Sequence, residues 1–366
     1  MIITEGKAKI KLDKDVFYNP RMTFCRHLDV LAYKVIGENE SKEVRSLDAL
    51  AATGIRGIRA CLEAGFMSTF NDKNPKAVEL IKENLKLNNI EAEVFNKDAV
   101  ALMRESRFTH IDLDPFGSPA EFIDTACLSA LKYLSVTATD TAALCGSAPV
   151  AGLRKYAIYA EKTEFYPELG LRTLIGKIVR EATKYDKAIE VLVSWAKEHY
   201  YRVHIKLRRS VALAGKIYEK VGYLFYCFNC GNREWLPMDG KTLERCKCGN
   251  KFTMIGPLWL GELHNKDFVK AMIDKVDGMD VDENTKTKLR KFLQSIYEEI
   301  DDPFGYTTHH IARMLKTSPP QVVRIIEELR KMGYKASRVH YSGVGFKTDA
   351  DVETIKKVVL ALNTQD

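Results

Sequence analysis

The feature that most constrains this chain is an alternation, between Glu43 and Thr141, of short apolar runs with segments apolar at helical spacing. Residues 44–48, 68–70, 92–95, 110–113 and 134–139 read as strands, and residues 58–64, 75–88 and 120–131 read as helices between them. Strand–helix–strand order makes successive strands parallel and puts helices on both faces. The expected core is therefore an α/β, doubly wound, mostly parallel Rossmann-like sheet. Beyond Pro149, residues 169–185 and 187–199 read as two amphipathic helices and 201–209 as a basic strand. Four cysteines crowd between two apolar runs at 223–228 and 252–260. Charged helices follow at 267–276, 285–301, 308–315 and 320–332, with a late strand at 335–341. The expected division is an α/β domain over 1–222, a metal-tied segment packed on it over 223–262, and a smaller α+β domain over 263–366.

Parallel sheets hold ligands at the carboxyl ends of their strands, so the first strand-to-helix turn is the place for a cofactor. It reads Leu47-Asp48-Ala49-Leu50-Ala51-Ala52-Thr53-Gly54-Ile55-Arg56-Gly57. Small residues there let the backbone approach a ligand, and the helix behind them offers a partly positive N-terminus. Asp72, ending the second strand, can accept both hydroxyls of a ribose. Asp98, in Asn96-Lys97-Asp98-Ala99 after the third, can reach an adenine amine. Nicotinamide and adenosyl cofactors share this geometry. Asp48 favours S-adenosyl-L-methionine, because a carboxylate at the strand end suits a cationic methionine portion and repels a pyrophosphate.

The fourth strand ends Asp112-Leu113-Asp114-Pro115-Phe116-Gly117-Ser118-Pro119. Period two puts Asp112 and Asp114 on one face, and the turn aims backbone carbonyls into the cleft. The lone pair of an exocyclic purine amine is delocalised, so acceptors on its N–H groups favour the pyramidal, nucleophilic form and stabilise the charge developing on it. Asp114 supplies a carboxylate, Pro115 a carbonyl, and Phe116 a face on which an extruded base can stack. The turn carries no cysteine, as C5-pyrimidine methylation would require. Guanine in tRNA and adenine N6 in DNA are both exocyclic-amine substrates, and a non-catalytic tRNA-binding protein on the same fold is a third reading.

Cys227-x-x-Cys230 and Cys246-x-Cys248 make two knuckles suited to a structural zinc, with two disulfides or four free thiols as the alternatives. Lys and Arg number 56 against 49 Asp and Glu, a net charge of +7 that favours a polyanionic partner. Cations interleave with aromatics over 200–209 and 337–341, which suits RNA contact, and 307–333 has a winged-helix pattern. No apolar leader follows Met1 and no apolar run is long enough to span a bilayer, so a cytoplasmic protein without membrane contact is expected.

With these residues in hand, the chain resembles the archaeal and eukaryotic tRNA (guanine(26)-N2)-dimethyltransferases, class I S-adenosylmethionine-dependent enzymes, over nearly its whole length. The resemblance is carried by residues 16–22, the cofactor loop, the Asp112–Pro119 string, Cys145-Gly146-Ser147-Ala148-Pro149 with Arg154-Lys155-Tyr156, the cysteine cluster, and Gly345-Phe346-Lys347-Thr348-Asp349. It implies that Arg26 and Arg56 lie against S-adenosyl-L-methionine with Asp72, Asp98 and Ala99. It also implies that Asp114 is catalytic, that Phe17 and Phe116 hold the target guanine, and that tRNA is the partner of a chain expected to be monomeric. The family often has Asn-Arg-Asp where this chain has Cys25-Arg26-His27, which removes the expected support of Arg26.

Overall fold

The computed structural model describes residues 1–364. A hairpin of β1 (Ile2–Glu5) and β2 (Ala8–Lys11) leads into α1 (Thr23–Glu38). The alternation then runs β3 (Arg45–Asp48), α2 (Ile55–Ala64), β4 (Met67–Asn71), α3 (Pro75–Leu87), β5 (Val94–Phe95), α4 (Ala99–Glu105), β6 (Phe108–Leu113), α5 (Ala120–Ser129) and β7 (Ala130–Ala138). After α6 (Thr141–Leu144), α7 (Pro149–Tyr156) and α8 (Tyr166–Thr183), two long strands, β8 (Lys187–Lys197) and β9 (Tyr200–Arg209), complete a seven-stranded sheet of order β5-β4-β3-β6-β7-β9-β8. The first five of these strands are parallel, and β9 is antiparallel to both its neighbours. The strand order reverses between β3 and β6, so the crevice for ligands opens above Asp48 and Leu113.

The reading of 187–199 as a helix is corrected, since residues 187–197 form β8 and 198–199 the turn that follows it. Ile189, Val191 and Val193 are β-branched, β9 pairs along the whole run, and side chains on both faces are buried. A strand buried on both faces shows no alternation, and periodicity cannot separate it from a buried helix.

The two faces of the sheet differ in kind. Ile111 and Leu113 face the large apolar cluster under α5 and α8. The opposite face carries Ser46, Asp48, His110, Asp112, Ser135, Thr137, Arg202 and His204, all buried. This polar layer is tied together by Ser46 to Ser68 at 2.8 Å, His110 to Ser135 at 2.8 Å and Ser135 to His204 at 2.8 Å. Hydrogen bonding offsets the desolvation such groups suffer.

After α9 (Val211–Ile217), strands β10 (Val221–Tyr226), β11 (Arg233–Pro237) and β12 (Thr253–Trp259) form a small sheet whose inner residues join the main core. Helices α10 (Lys266–Asp274) and α11 (Glu283–Glu298) pack on α1 and share its apolar cluster. The last unit, with a core of its own, comprises β13 (Tyr306–Thr307), α12 (Thr308–Leu315), α13 (Val322–Lys331), β14 (Ala336–Val339), β15 (Ser342–Thr348) and α14 (Val352–Asn363). Its sheet order β13-β15-β14 gives the winged-helix pattern its wing.

Glu168 on α8 fastens this last unit to the large sheet's domain. Its buried carboxylate accepts from the Phe304 and Gly305 amides at 2.9 and 3.1 Å and from the Tyr341 hydroxyl at 2.8 Å, and it pairs with Arg172 and Lys347. Burial pushes its pKa up, but Lys347 and Arg172 outweigh this and hold it at about 2, against the ordinary 4.5. A carboxylate whose folded pKa is depressed stabilises the fold fully above the unfolded value and loses that contribution as pH falls through the folded one. The join is therefore expected to weaken between about pH 4.5 and pH 2, seen as faster proteolysis within 300–306. Glu168→Gln should show the same cleavage at neutral pH.

Candidate active site

A cavity of about 360 Å³ opens at the carboxyl ends of β3 and β6. Its floor is Asp48 and the loop 50–53, one wall is Asp114, Pro115 and Phe116, and the other is the segment 17–22 with Arg26. The turn at 198–200, between β8 and β9, closes the rim.

The cofactor loop is held by its own backbone and by the next strand. The Ala51 amide donates to the Asn71 carbonyl at 2.9 Å, and the Ala52 amide donates to Asp72 Oδ2 at 2.8 Å. Gly54 sits at φ +79°, a left-handed conformation that starts α2 without a Cβ penalty. Gly57 is required by proximity, since a Cβ there would meet the Phe70 ring at 2.4 Å. Its amide donates to Asp48 Oδ2 at 2.9 Å. Burial, reinforced by nearby Asp112, pushes the Asp48 carboxyl well above the usual carboxylate range. Positive charge in the cavity would relieve that strain, which fits a ligand bearing an ammonium or sulfonium group.

Asp112 and Asp114 share a face of the strand but have different surroundings. Asp112 is buried, accepts from Arg202 at 3.0 and 2.6 Å and accepts the Tyr33 hydroxyl. Burial pushes its carboxyl up, and the Arg202 and Arg56 guanidiniums outweigh that and hold it below the usual range. Asp114 is 29% exposed and has one protein partner, Arg56 Nη2 at 2.5 Å, so its second oxygen faces the cavity unpaired. The other end of Arg56 is fixed by Asp29 on α1, which also accepts from Arg202 Nε at 2.8 Å and contacts His204 Nε2 at 3.0 Å. Burial and Arg202 push the pKa of His204 well below its ordinary value, so the ring is neutral and the guanidiniums supply the counter-charge. No signal in the sequence marks Asp29 or Arg202 as part of this site, because their partners lie on other elements.

Phe17 and Phe116 are 58% and 89% exposed, and their ring centroids lie 5.5 Å apart edge to face at the cavity mouth. Exposed aromatics paired over a cavity are poised for a flat ligand. Arg26 lines the cavity, but its guanidinium is paired with Glu5 at 2.7 and 2.5 Å and donates to Thr23 and the Asn19 carbonyl. One of its five N–H groups stays unused. Glu5, from the N-terminal hairpin, thus supplies the support that Cys25 and His27 do not. Asp72 stands beside the lining, with its oxygens accepting from the Ala52 and Asn74 amides at 2.8 Å each. Asp98 caps α4 through the Val100 and Ala101 amides and is half exposed, with Ala99 buried behind it. Neither lines the cavity, nor does Gly54.

The cysteines converge as their spacing implies. The Sγ atoms of Cys227, Cys230, Cys246 and Cys248 lie within 4.8 Å of one another and none is paired as a disulfide. Four thiol sulfurs at that spacing fit a closed tetrahedral zinc site, a structural one with no open position. The protein should carry one zinc, and Cys230→Ser should lower that content and expose β10–β12 to protease, as read by metal analysis and limited digestion. His264, Glu299 and His340 also cluster, but Lys347 Nζ lies 2.8 Å from Glu299 and already supplies the positive charge there.

The stretches read as RNA-contacting are largely buried. Of 200–209, only Lys206, Arg208 and Arg209 are exposed, and Lys206 pairs with Tyr133 near the start of β7, the end of the sheet away from the cavity. Of 337–341, only Arg338 is exposed. His340 bonds Glu299 at 2.8 Å and Tyr341 bonds Glu168. Aromatic–cation interleaving here serves an internal polar join.

Comparison with known proteins accounts for this architecture. Residues 1–360 match the family described as N2,N2-dimethylguanosine tRNA methyltransferase. A tRNA (guanine(26)-N(2))-dimethyltransferase of Archaeoglobus fulgidus is 53% identical over 359 residues, 98% of either chain. One of Methanoculleus marisnigri is 41% identical over 370 aligned residues, again 98% of either chain. The structure of Trm1 from Pyrococcus horikoshii, in complex with S-adenosyl-L-methionine, superposes with a TM-score of 0.90 at 38% identity, covering 98% of this chain and 99% of that one. This chain belongs to the N2,N2-dimethylguanosine tRNA methyltransferase family.

Proposed function

We propose that this chain transfers one or two methyl groups from S-adenosyl-L-methionine to the exocyclic N2 amine of guanosine 26 in tRNA. The observation that carries the amine chemistry is the half-free carboxylate of Asp114, which lines the same cavity as the exposed Phe17–Phe116 pair, while guanosine 26 and tRNA rest on the family match. S-adenosyl-L-methionine, when bound, supplies an electrophilic methyl group on a sulfonium. Asp48 and the spare N–H of Arg26 orient its methionine portion, with Gly54 giving the backbone room. Asp72 serves the ribose, and Asp98 with Ala99 the adenine edge.

The Phe116 face stacks on the guanine while Phe17 closes its edge. The free oxygen of Asp114 and the Pro115 carbonyl accept the N2 protons, which aligns the nitrogen lone pair and stabilises the positive charge that grows on it. Asp114 then takes up the proton that leaves. Arg56, at 2.5 Å, keeps the Asp114 carboxylate aimed. The four cysteines hold zinc as a structural ion, and the winged-helix unit offers a surface for the body of the tRNA.

Nucleoside mass spectrometry of unmodified tRNA, after incubation with the protein and S-adenosyl-L-methionine, should find N2-methylguanosine and then N2,N2-dimethylguanosine. Methylation of duplex DNA with none in tRNA would overturn the substrate. A calorimetric titration without S-adenosyl-L-methionine binding would overturn the enzyme. No helix among the described residues is long and apolar enough to cross a membrane.

A further inference from the structure

The cavity holds one carboxylate that the reading above leaves unused. A two-residue turn, Glu198-His199, joins β8 to β9, and both side chains line the cavity rim and are exposed. Of the carboxylates lining the cavity, Asp48 is bonded by the Gly57 amide and Asp114 by Arg56, whereas Glu198 has no protein partner among the described residues. Two features make this residue costly where it stands. Its φ of +51° is a left-handed conformation that a two-residue hairpin turn normally gives to Gly or Asn. A carboxylate at the mouth of an RNA site also repels the phosphates that must approach it.

Guanine differs from adenine beside the exocyclic amine. Its N1 carries a proton, whereas adenine N1 is a bare acceptor. A carboxylate therefore accepts from guanine N1–H and repels adenine at the same place. Asp114 alone would serve any exocyclic amine. We propose that Glu198 is a specificity-determining residue, reading N1–H of the base whose N2 amine lies at Asp114. This inference rests on the tRNA guanine reading and assigns the part of the site that selects the base.

The test uses full-length protein and tRNA transcripts bearing guanine or 2-aminopurine at position 26. 2-Aminopurine keeps the amine but presents N1 as an acceptor. Wild-type protein should strongly prefer guanine in kcat/KM. In Glu198→Gln, whose amide can donate to a bare N1, the guanine to 2-aminopurine ratio should fall at least ten-fold. Glu198→Ala should also lower it through weaker guanine turnover. Each ratio is taken within one variant, so it is independent of the folded fraction. Ratios within two-fold of wild type in both variants, or a wild type that accepts both bases equally, would overturn the inference and leave the substrate reading intact. A wild type that forms no N2-methylated guanosine removes the substrate reading and this inference with it.

Discussion

Asp114→Ala should lower kcat on tRNA by about 10²–10³-fold, the range expected when one group stabilising transition-state charge is removed, or ~3–4 kcal/mol. The substitution removes the only side-chain acceptor that faces the cavity from the catalytic turn and releases Arg56 Nη2 from its 2.5 Å contact. Affinity for S-adenosyl-L-methionine should stay within a few-fold, because Asp48 and Arg26 are unchanged and lie on other elements. Steady-state turnover beside a calorimetric cofactor titration separates the two. Turnover near the wild-type rate would remove Asp114 from the chemistry, and loss of cofactor affinity would reassign it to the methyl donor.

Asp29→Ala should have the largest effect on stability, about 3–5 kcal/mol, the usual cost of breaking a buried ion pair by removing one partner. Asp29 is fully buried and bonds Arg56, Arg202 and His204 together, so its loss leaves two guanidiniums short of a carboxylate, that of Arg202 fully buried. Urea unfolding followed by tryptophan fluorescence reads the change through Trp195, which lies against the His204 ring at 5.4 Å. A loss below ~1 kcal/mol for Asp29→Ala would mean that the polar layer contributes little to stability.

Both predictions concern one surface of the sheet, and they differ in how far the sequence reveals it. Asp114-Pro115-Phe116-Gly117 stands out because turn residues leaving an apolar strand are a local pattern. Asp29 lies in a helix whose other buried residues are mostly apolar, and nothing near it in sequence explains a carboxylate. Its partners are at positions 56, 202 and 204. Arg26 shows a related effect, because its pairing with Glu5 depends on a hairpin that the helical and strand patterns do not reveal.

The basic stretches teach the converse. Arg202 and His340 sit in segments rich in cations and aromatics, and both are buried in polar joins. Composition reports which side chains are present and is silent on which face of a strand meets another unit. Glu168, Glu299 and Lys347 make the surface around His340 internal, and they come from three separate elements.

What the sequence determined by itself is the alternating strand and helix order, the Asp114-Pro115-Phe116-Gly117 turn and the four-cysteine cluster, since each is written within a few turns of chain by periodicity, turn chemistry or ligand spacing. Only the tertiary structure decided that 187–197 is a strand, that Asp112 is structural while Asp114 faces the cavity, and that Asp29 and Glu5 hold the two arginines. The reason is physical. A side chain's burial and charge partner are set by surfaces that meet across long stretches of sequence, and local pattern carries no record of which surfaces those are.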